Sequence, residues 1–375
     1  MKIHYRGMQM EKIISVIVPL YKGKKYIARI IDMVEKNAQT LLLHNYDHAV
    51  DLIFVNDYPA DIIECIPDSK VIDIRYIPLK RNKGIHGARV EGLKKAKGEY
   101  ILFLDQDDEI SAEWMYSQLC RIGEASLIVC NGIYRNNRKI YGSHEIQKVN
   151  ISKNDIRNLK IISPGQVLIR KNKIPKIWMT DLLKKNGTDD YYLWILMFSA
   201  GESAQCNDEI LYKHNEGGEN QSFHWREMLD GKYEVLQHLE KNKKISKDTI
   251  NQVKDVVSAT KIKFHPYILF DRIVRNNKKI FFSQRVSIYG MGVYGKKLLT
   301  VLRQNNINVL FGVDKDARAM MDSSIKIYLP DESLPDVDLM IVTAEFVFSD
   351  IEKKYHGKMN VMRMSEFMQR YVKES

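Results

Sequence analysis

The sequence predicts an α/β fold built on a doubly wound mixed sheet, followed by a second, smaller α/β unit. Three observations carry this expectation. Apolar runs of strand length alternate with helical periods between Ile13 and Leu104. Two of those runs, Asp51–Asp57 and Tyr100–Leu104, end in acids or lead straight into them. Arg285–Gly295 then starts a separate strand–turn–helix pattern carrying three glycines.

Met1–Lys12 is polar and is expected to be a loose leader. Ile13–Leu20 reads as the first buried strand, closed by Pro19. From Lys24 a helical period sets Ile27, Ile30, Ile31 and Val34 on one stripe. Asp51–Asp57 and Val71–Ile77 are the second and third strands, and Asn82–Arg89 opens a helix carrying Ile85, Ala88, Leu93 and Ala96. Tyr100–Leu104 is the fourth strand, apolar throughout as a strand covered on both faces should be. Right-handed crossovers would put the carboxyl ends of these strands on one edge, where ligands bind in open α/β sheets.

That edge collects Asp105, Asp107 and Asp108. Three neighbouring carboxylates repel one another and destabilise the fold unless a cation is present. Oxygen ligands without His or Cys beside them favour Mg2+ or Mn2+. The other reading is an acidic loop in which Asp108 and Ser111 cap a helix over Ala112–Leu119.

A chain of 375 residues has room for two or three domains, and 45% apolar composition supports a sizeable core. Cys65, Cys120, Cys130 and Cys206 are scattered without paired spacing, which points to reduced core thiols and a cytoplasmic setting. No apolar run reaches the ~20 residues that span a bilayer. The net charge of +11 suits anionic lipid headgroups or phosphate-bearing polymers, so peripheral contact with the inner membrane face fits it. Without a zinc finger, an RNA-recognition signature or an aromatic-interleaved basic run, nucleic acid is not the expected partner.

Ser15–Tyr21, Asn56-Asp57, Asn82–Arg89 and Gly98–Asp108, in this order and strand context, resemble the family 2 glycosyltransferases, which have the GT-A fold for nucleotide-diphospho-sugar transfer. The resemblance runs from Ile13 to Trp225. It implies that Pro19, Tyr21 and Asp57 contact the base of a nucleoside-diphosphate sugar, with uridine expected, and that Asp105 meets the ribose. Asn82, Gly84 and Arg89 would line the same nucleotide-sugar site. Asp107, with Asp108, would hold Mn2+ or Mg2+ at the diphosphate. The chain departs from the family after strand two, where Asn56 and Tyr58-Pro59 replace a second acid and a Gly-Ser turn.

Downstream, Ser126–Cys130, Lys139–Tyr141 and Val167–Arg170 read as edge strands, the last after the turn Ser163-Pro164-Gly165. Thr188 is placed to cap a helix with Asp189 and Asp190 in its first turn and with Tyr191, Leu193, Trp194 and Met197 on its buried side. In the family this position carries an acid pair whose Asp is the general base, which implies Asp190 for that role with Asp189 in place of the usual Glu. After a strand over Glu209–Asn215, the resemblance makes His214 a candidate for the metal or diphosphate site. Gln221–Trp225 lacks the Arg of the Gln-x-x-Arg-Trp in processive synthases, so that role is not carried over.

Residues 226–284 are rich in Lys, Asn and Glu and read as a helical connector, with Met228, Tyr233, Leu236 and Leu239 on one stripe and an interruption at Pro266. Residues 285–375 predict a Rossmann-like domain: Gly290, Gly292 and Gly295 fit the dinucleotide fingerprint, and Asp314 ends the next strand where a ribose-binding acid belongs. The glycines would serve the tight turn even without a ligand, so a structural or regulatory module, with a homo-oligomer among its expected roles, is preferred to NAD(P) binding. The function expected is metal-dependent, inverting transfer of a sugar from a nucleotide donor to a hydroxyl of a surface glycan, lipid-linked saccharide or anionic polymer. The rivals are an NAD(P)-dependent oxidoreductase and a nucleotide-binding scaffold centred on Gly290–Asp314.

Overall fold

The structure, a computed structural model, describes residues 12–142, 145–147, 149, 155–215, 225–276, 284–316 and 325–367. Most of the leader and most of the Gln221–Trp225 stretch lie outside these residues. The chain divides into two compact units, Met1–Ser258 and Ala259–Ser375.

The first unit is organised by β1 (Lys12–Leu20), β2 (His48–Asn56), β3 (Asp73–Pro78) and β4 (Tyr100–Phe103), all parallel. With β5 (Glu109–Ile110), β6 (Leu127–Tyr134), β7 (Val167–Arg170) and β8 (Ala204–His214) they form one sheet of order β3-β2-β1-β4-β7-β6-β8-β5. Strand β7 runs antiparallel to both its neighbours and β5 runs antiparallel to β8, so the sheet is mixed. Both faces are covered, because successive side chains of a strand point to opposite sides. Thus Ile17 packs with one cluster, which includes Ile53, Phe103 and Trp194, while Val16 and Val18 pack with the other, which includes Phe54, Leu102 and Trp114.

Helix α1 (Ile27–Leu43) and α3 (Trp114–Ile122) lie on the second face, and α2 (Gly84–Lys95) on the first. At the amino end of the sheet Ser15 donates to Asp51 at 2.9 Å and accepts from Gly98 N at 2.8 Å. A Cβ on Gly98 would stand 2.6 Å from Ser15 N, which explains a glycine before β4.

Several local expectations change. Lys139–Tyr141 forms no strand; an isolated bridge between Ile133 and Lys139 is what remains, since the segment has too few partners to extend a ladder. Ser111 does not cap α3, whose first turn has no side-chain cap, and Asp108 is committed elsewhere. Helix α4 (Lys176–Thr180) is short, and α5 (Asp189–Ser199) begins at Thr188 without a hydrogen bond from the Thr188 side chain to the helix amides. On α5 Leu193, Trp194 and Met197 are buried as expected, Tyr191 is only partly buried, and Tyr192, Ile195, Leu196 and Phe198 are buried too.

Helix α6 (Trp225–Lys241) packs Val235 and Leu239 into the same cluster as Trp194 and Ile17, so its apolar stripe belongs to the core of this unit. The inward residues are Trp225, Leu229, Val235 and Leu239, whereas Tyr233 is exposed. Helix α7 (Lys247–Asn276) continues through Pro266; Val253 and Val257 belong to the core of the first unit, and Phe270, Ile273 and Val274 to that of the second. Among the described residues no helix is long and apolar enough to cross a membrane.

Among its described residues the second unit has five parallel strands, β9 (Val286–Tyr289), β10 (Val309–Val313), β11 (Lys326–Tyr328), β12 (Leu339–Val342) and β13 (Asn360–Arg363), in the order β11-β10-β9-β12-β13. Helix α8 (Val293–Gln304) follows the glycine turn, and α9 (Phe348–Tyr355) precedes β13.

Candidate functional site

The site begins where β4 leaves the sheet. Leu104 N still donates to Ile17 O at 3.0 Å, and the next residue, Asp105, is past the ladder at the carboxyl edge. Helix α2 runs beneath this edge with Arg89 on its inward face, its side chain 3% exposed. Arg89 Nη1 donates to Asp189 Oδ2 at 2.7 Å, and Nη2 donates to Asp105. A planar guanidinium can hold two carboxylates at once, and here Arg89 joins the end of β4 to the start of α5, reaching Asp189 across 100 residues of sequence. Burial opposes the Arg89 charge, but Asp189 and Asp105 outweigh it and hold the pKa above its ordinary value. The Asp189 backbone is fixed as well, because Trp178, fully buried, donates its indole N–H to Asp189 O at 2.8 Å.

Two acids on this edge are left short of counter-charge. Asp190 is pushed up to about 7, first by burial and then by the neighbouring Asp189. Asp107 is pushed up to about 6, first by burial and then by Asp108 and Asp105. Burial also raises Asp105, against the pull of Arg89. The five carboxylates therefore act on one another as a single electrostatic group.

Beside them a turn closes the end of β2. Asp57, 4% exposed, accepts Lys83 N at 2.6 Å; burial raises its pKa while the Lys83 and Gly84 amides lower it. Asn82 Oδ1 accepts Gly84 N at 2.9 Å, and Gly84 has φ +74°, with Asn186 Oδ1 2.8 Å from where a Cβ would be. Asn82 and Gly84 thus shape the turn that starts α2. Pro19 is buried in β1, while Tyr21 is 49% exposed at the rim. The Tyr21 backbone is pinned by Gln106 through bonds of 3.0 and 3.1 Å, and the Tyr58 ring stands edge-on 5.0 Å away.

An acid-ended central strand, an arginine-bridged acid pair and a glycine turn at one sheet edge agree with a match of residues 15–178 to the model for Glycosyl transferase family 2. Residues 15–178 form a Glycosyl transferase family 2 domain. Relatives include an uncharacterized glycosyltransferase of Haemophilus influenzae, 30% identical over 32% of this chain and 47% of its own length. Another, from Rickettsia typhi, is 29% identical over 54% of this chain and 63% of its own length. The minor teichoic acid biosynthesis protein GgaB of Bacillus subtilis is 37% identical over 26% of this chain and 10% of its own length. The chain thus spans less than two thirds of the length of these relatives. Among solved structures, S. aureus TarS 1–349 in complex with UDP-GlcNAc is similar at 14% identity over 78% of this chain and 80% of that one, with a TM-score of 0.47.

Two of the expected metal ligands of this glycosyltransferase domain are engaged with each other. Asp108 is 1% exposed, accepts Asn215 N at 3.0 Å and the Tyr212 hydroxyl, and lies 3.2 Å from His214 Nδ1. Its oxygens are turned into β8 and away from solvent, so Asp108 and His214 tie β8 to the acid loop. Among the described residues no group of three or more His, Cys, Asp and Glu is placed to hold a metal by itself. Asp107 differs from Asp108 in being partly exposed, and its raised pKa marks an anion without full compensation. A hard cation shared with a diphosphate fits that donor chemistry.

Arg89, expected to line the nucleotide-sugar site, is 3% exposed and spends Nη1 and Nη2 on Asp189 and Asp105. In the second unit, Gly290 has φ +90° and a Cβ on Gly295 would stand 2.1 Å from Gly290 O, so turn and packing account for both glycines. The Asp314 carboxylate accepts Met291 N at 2.7 Å and Asp316 N at 3.0 Å, closing that turn itself. The oxidoreductase reading finds no support, as the relatives above are glycosyltransferases or act in teichoic acid synthesis. Sequence reasoning missed Tyr58, Gln106, Trp178, Asn186 and Tyr212; Gln106, set among the acids of 105–108, had a readable position.

Proposed function

We propose that this protein transfers a sugar from a UDP-linked donor to a hydroxyl of a cell-envelope glycan, lipid-linked saccharide or anionic polymer, with inversion at the anomeric carbon and with the help of a divalent cation. The observation that carries the reading is the Arg89 bridge, which joins the end of β4, with its uncompensated Asp107, to the acid pair at the start of α5. The teichoic acid role of one relative and the charge of +11 support an anionic acceptor.

Asp190 removes the acceptor proton as the oxygen attacks; with a pKa near 7 it is matched to that task at neutral pH. Asp189, neutralised by Arg89, holds the turn in place. Tyr21 and Tyr58 offer ring faces to the base, and Asp57 offers an acceptor to its N–H. A cation at Asp107 would supply neutralisation of the leaving diphosphate. Attack from the side opposite that group, in one displacement, inverts the centre.

Thermal shift separates the sites. UDP with Mn2+ at about 100 times its Kd should stabilise the folded protein by ~2.7 kcal/mol, and NAD(H) should leave it unchanged; stabilisation by NAD(H) alone would reverse the ranking of the two units. In a second measurement Asp107→Ala should lose the Mn2+-dependent part of the UDP shift. An Ala variant that keeps the full shift takes Asp107 out of the donor site.

A further inference from the structure

The turn bearing Asp189 and Asp190 has no cap of its own. Thr188 occupies the N-cap position of α5 without a side-chain cap bond, and its hydroxyl is buried with no partner among the described residues. The segment leading into it, 181–188, is largely irregular and passes through Gly187 at φ +82°. Within the turn Asp190 Oδ1 accepts Tyr191 N at 2.7 Å, and the remaining contacts that place the turn come from outside it.

Helix α6, about forty residues later in the chain, meets this segment through Glu234, Gly231 and His238. Glu234, its side chain 14% exposed, accepts Lys184 N and Lys185 N at 2.8 Å each, one on each carboxylate oxygen. Two backbone amides on one charged acceptor make a strong clamp. Gly231 lies so close to Thr188 that a Cβ would stand 2.6 Å from Thr188 Oγ1, bringing the backbone of α6 against the start of α5. At the far end, Asp181 accepts the Tyr192 hydroxyl at 2.9 Å and lies 2.7 Å from His238 Nδ1. On its other flank the segment meets the start of α2: Leu183 N donates to His86 Nδ1 at 3.0 Å, and Asn186 Oδ1 accepts Ile85 N at 3.1 Å.

We propose that Glu234 is a positioning residue for Asp190, with α6 clamping segment 181–188 against the start of α2 and so holding the base in register with the donor turn. The inference rests on the reading of Asp190 as the base. Glu234 touches neither donor nor acceptor; it acts through the backbone of Lys184 and Lys185.

The test uses the full chain with Glu234→Gln and Glu234→Ala, read by amide hydrogen exchange, by UDP with Mn2+ binding and by transfer kinetics. Exchange should rise at 184–185 and at 189–191 but not in β1, β2 or β4. UDP affinity should stay within about twofold, and kcat should fall by about 10–100-fold, the scale of a small misplacement of a reacting group. Gln should retain more activity than Ala, since its Oε1 can still hold one of the two amides. Unchanged exchange at 189–191 overturns the proposal, as does a lowered Tm with kcat per folded molecule intact. If Asp190→Asn retains full transfer, the base assignment fails on its own, while exchange in Glu234→Gln, which is nearly isosteric and keeps one bond, still decides whether α6 holds the turn.

Discussion

Asp190→Asn should lower turnover by about 10²–10⁴-fold, the usual contribution of a positioned general base, while the UDP and Mn2+ thermal shift remains. Asparagine keeps the shape of the side chain but cannot accept the acceptor proton. The wild-type rate should rise with pH through about 7, where Asp190 ionises, and a flat profile from pH 5 to 9 would count against it. Stability moves the other way. The folded pKa lies above the unfolded value of 3.8, so this group's contribution is fully present below that value and is lost as pH rises through about 7. Asp190→Asn should therefore have the higher Tm at pH 8.5, with the gap closing toward pH 4. Full turnover in the variant would remove Asp190 from the mechanism.

Arg89→Met carries the largest expected effect on stability. It leaves Asp105 and Asp189 facing a buried site without their shared counter-charge, and breaking a buried ion pair from one side costs ~3–5 kcal/mol. The first unit should unfold at clearly lower urea concentration, while the second unit, whose core clusters lie elsewhere, keeps its own transition. Arg89→Lys should recover only part of the loss, because an ammonium lacks the fork that spans both carboxylates. Removing one of the stranded charges with Arg89→Met/Asp189→Asn should restore part of the stability. Equal midpoints for wild type and Arg89→Met would mean that the two acids are not held as charges in the folded state.

The parallel half of the first sheet was legible because buried strands are continuous apolar runs, and β1, β2, β3 and β4 lie within a few residues of their expected bounds. Gly290 was also readable as serving a tight turn, whereas the backbone reasons for Gly84, at φ +74°, and Gly98, against Ser15 N, emerge only in the structure. Short edge strands were not: β5, β11 and β13 have two to four residues and no periodicity of their own. The stripe of α6 was misread around Tyr233, because helical spacing alone leaves two adjacent faces open and only Trp194 and its neighbours decide between them. Hydroxyls at Ser111 and Thr188 looked like caps, yet tertiary packing turned both away from the amides they would have served.

From the chain alone came the α/β class, the family resemblance and the edge on which the acids collect, because strand periodicity and the residues at strand ends are encoded within a few positions of one another. Which acids are free and which are committed was settled only in three dimensions. Asp108 finds Tyr212 and Asn215, Arg89 finds Asp189, and Glu234 finds Lys184 and Lys185, in each case across at least 49 residues of chain. Charge pairing acts through space and burial sets its strength, so no local pattern announces it.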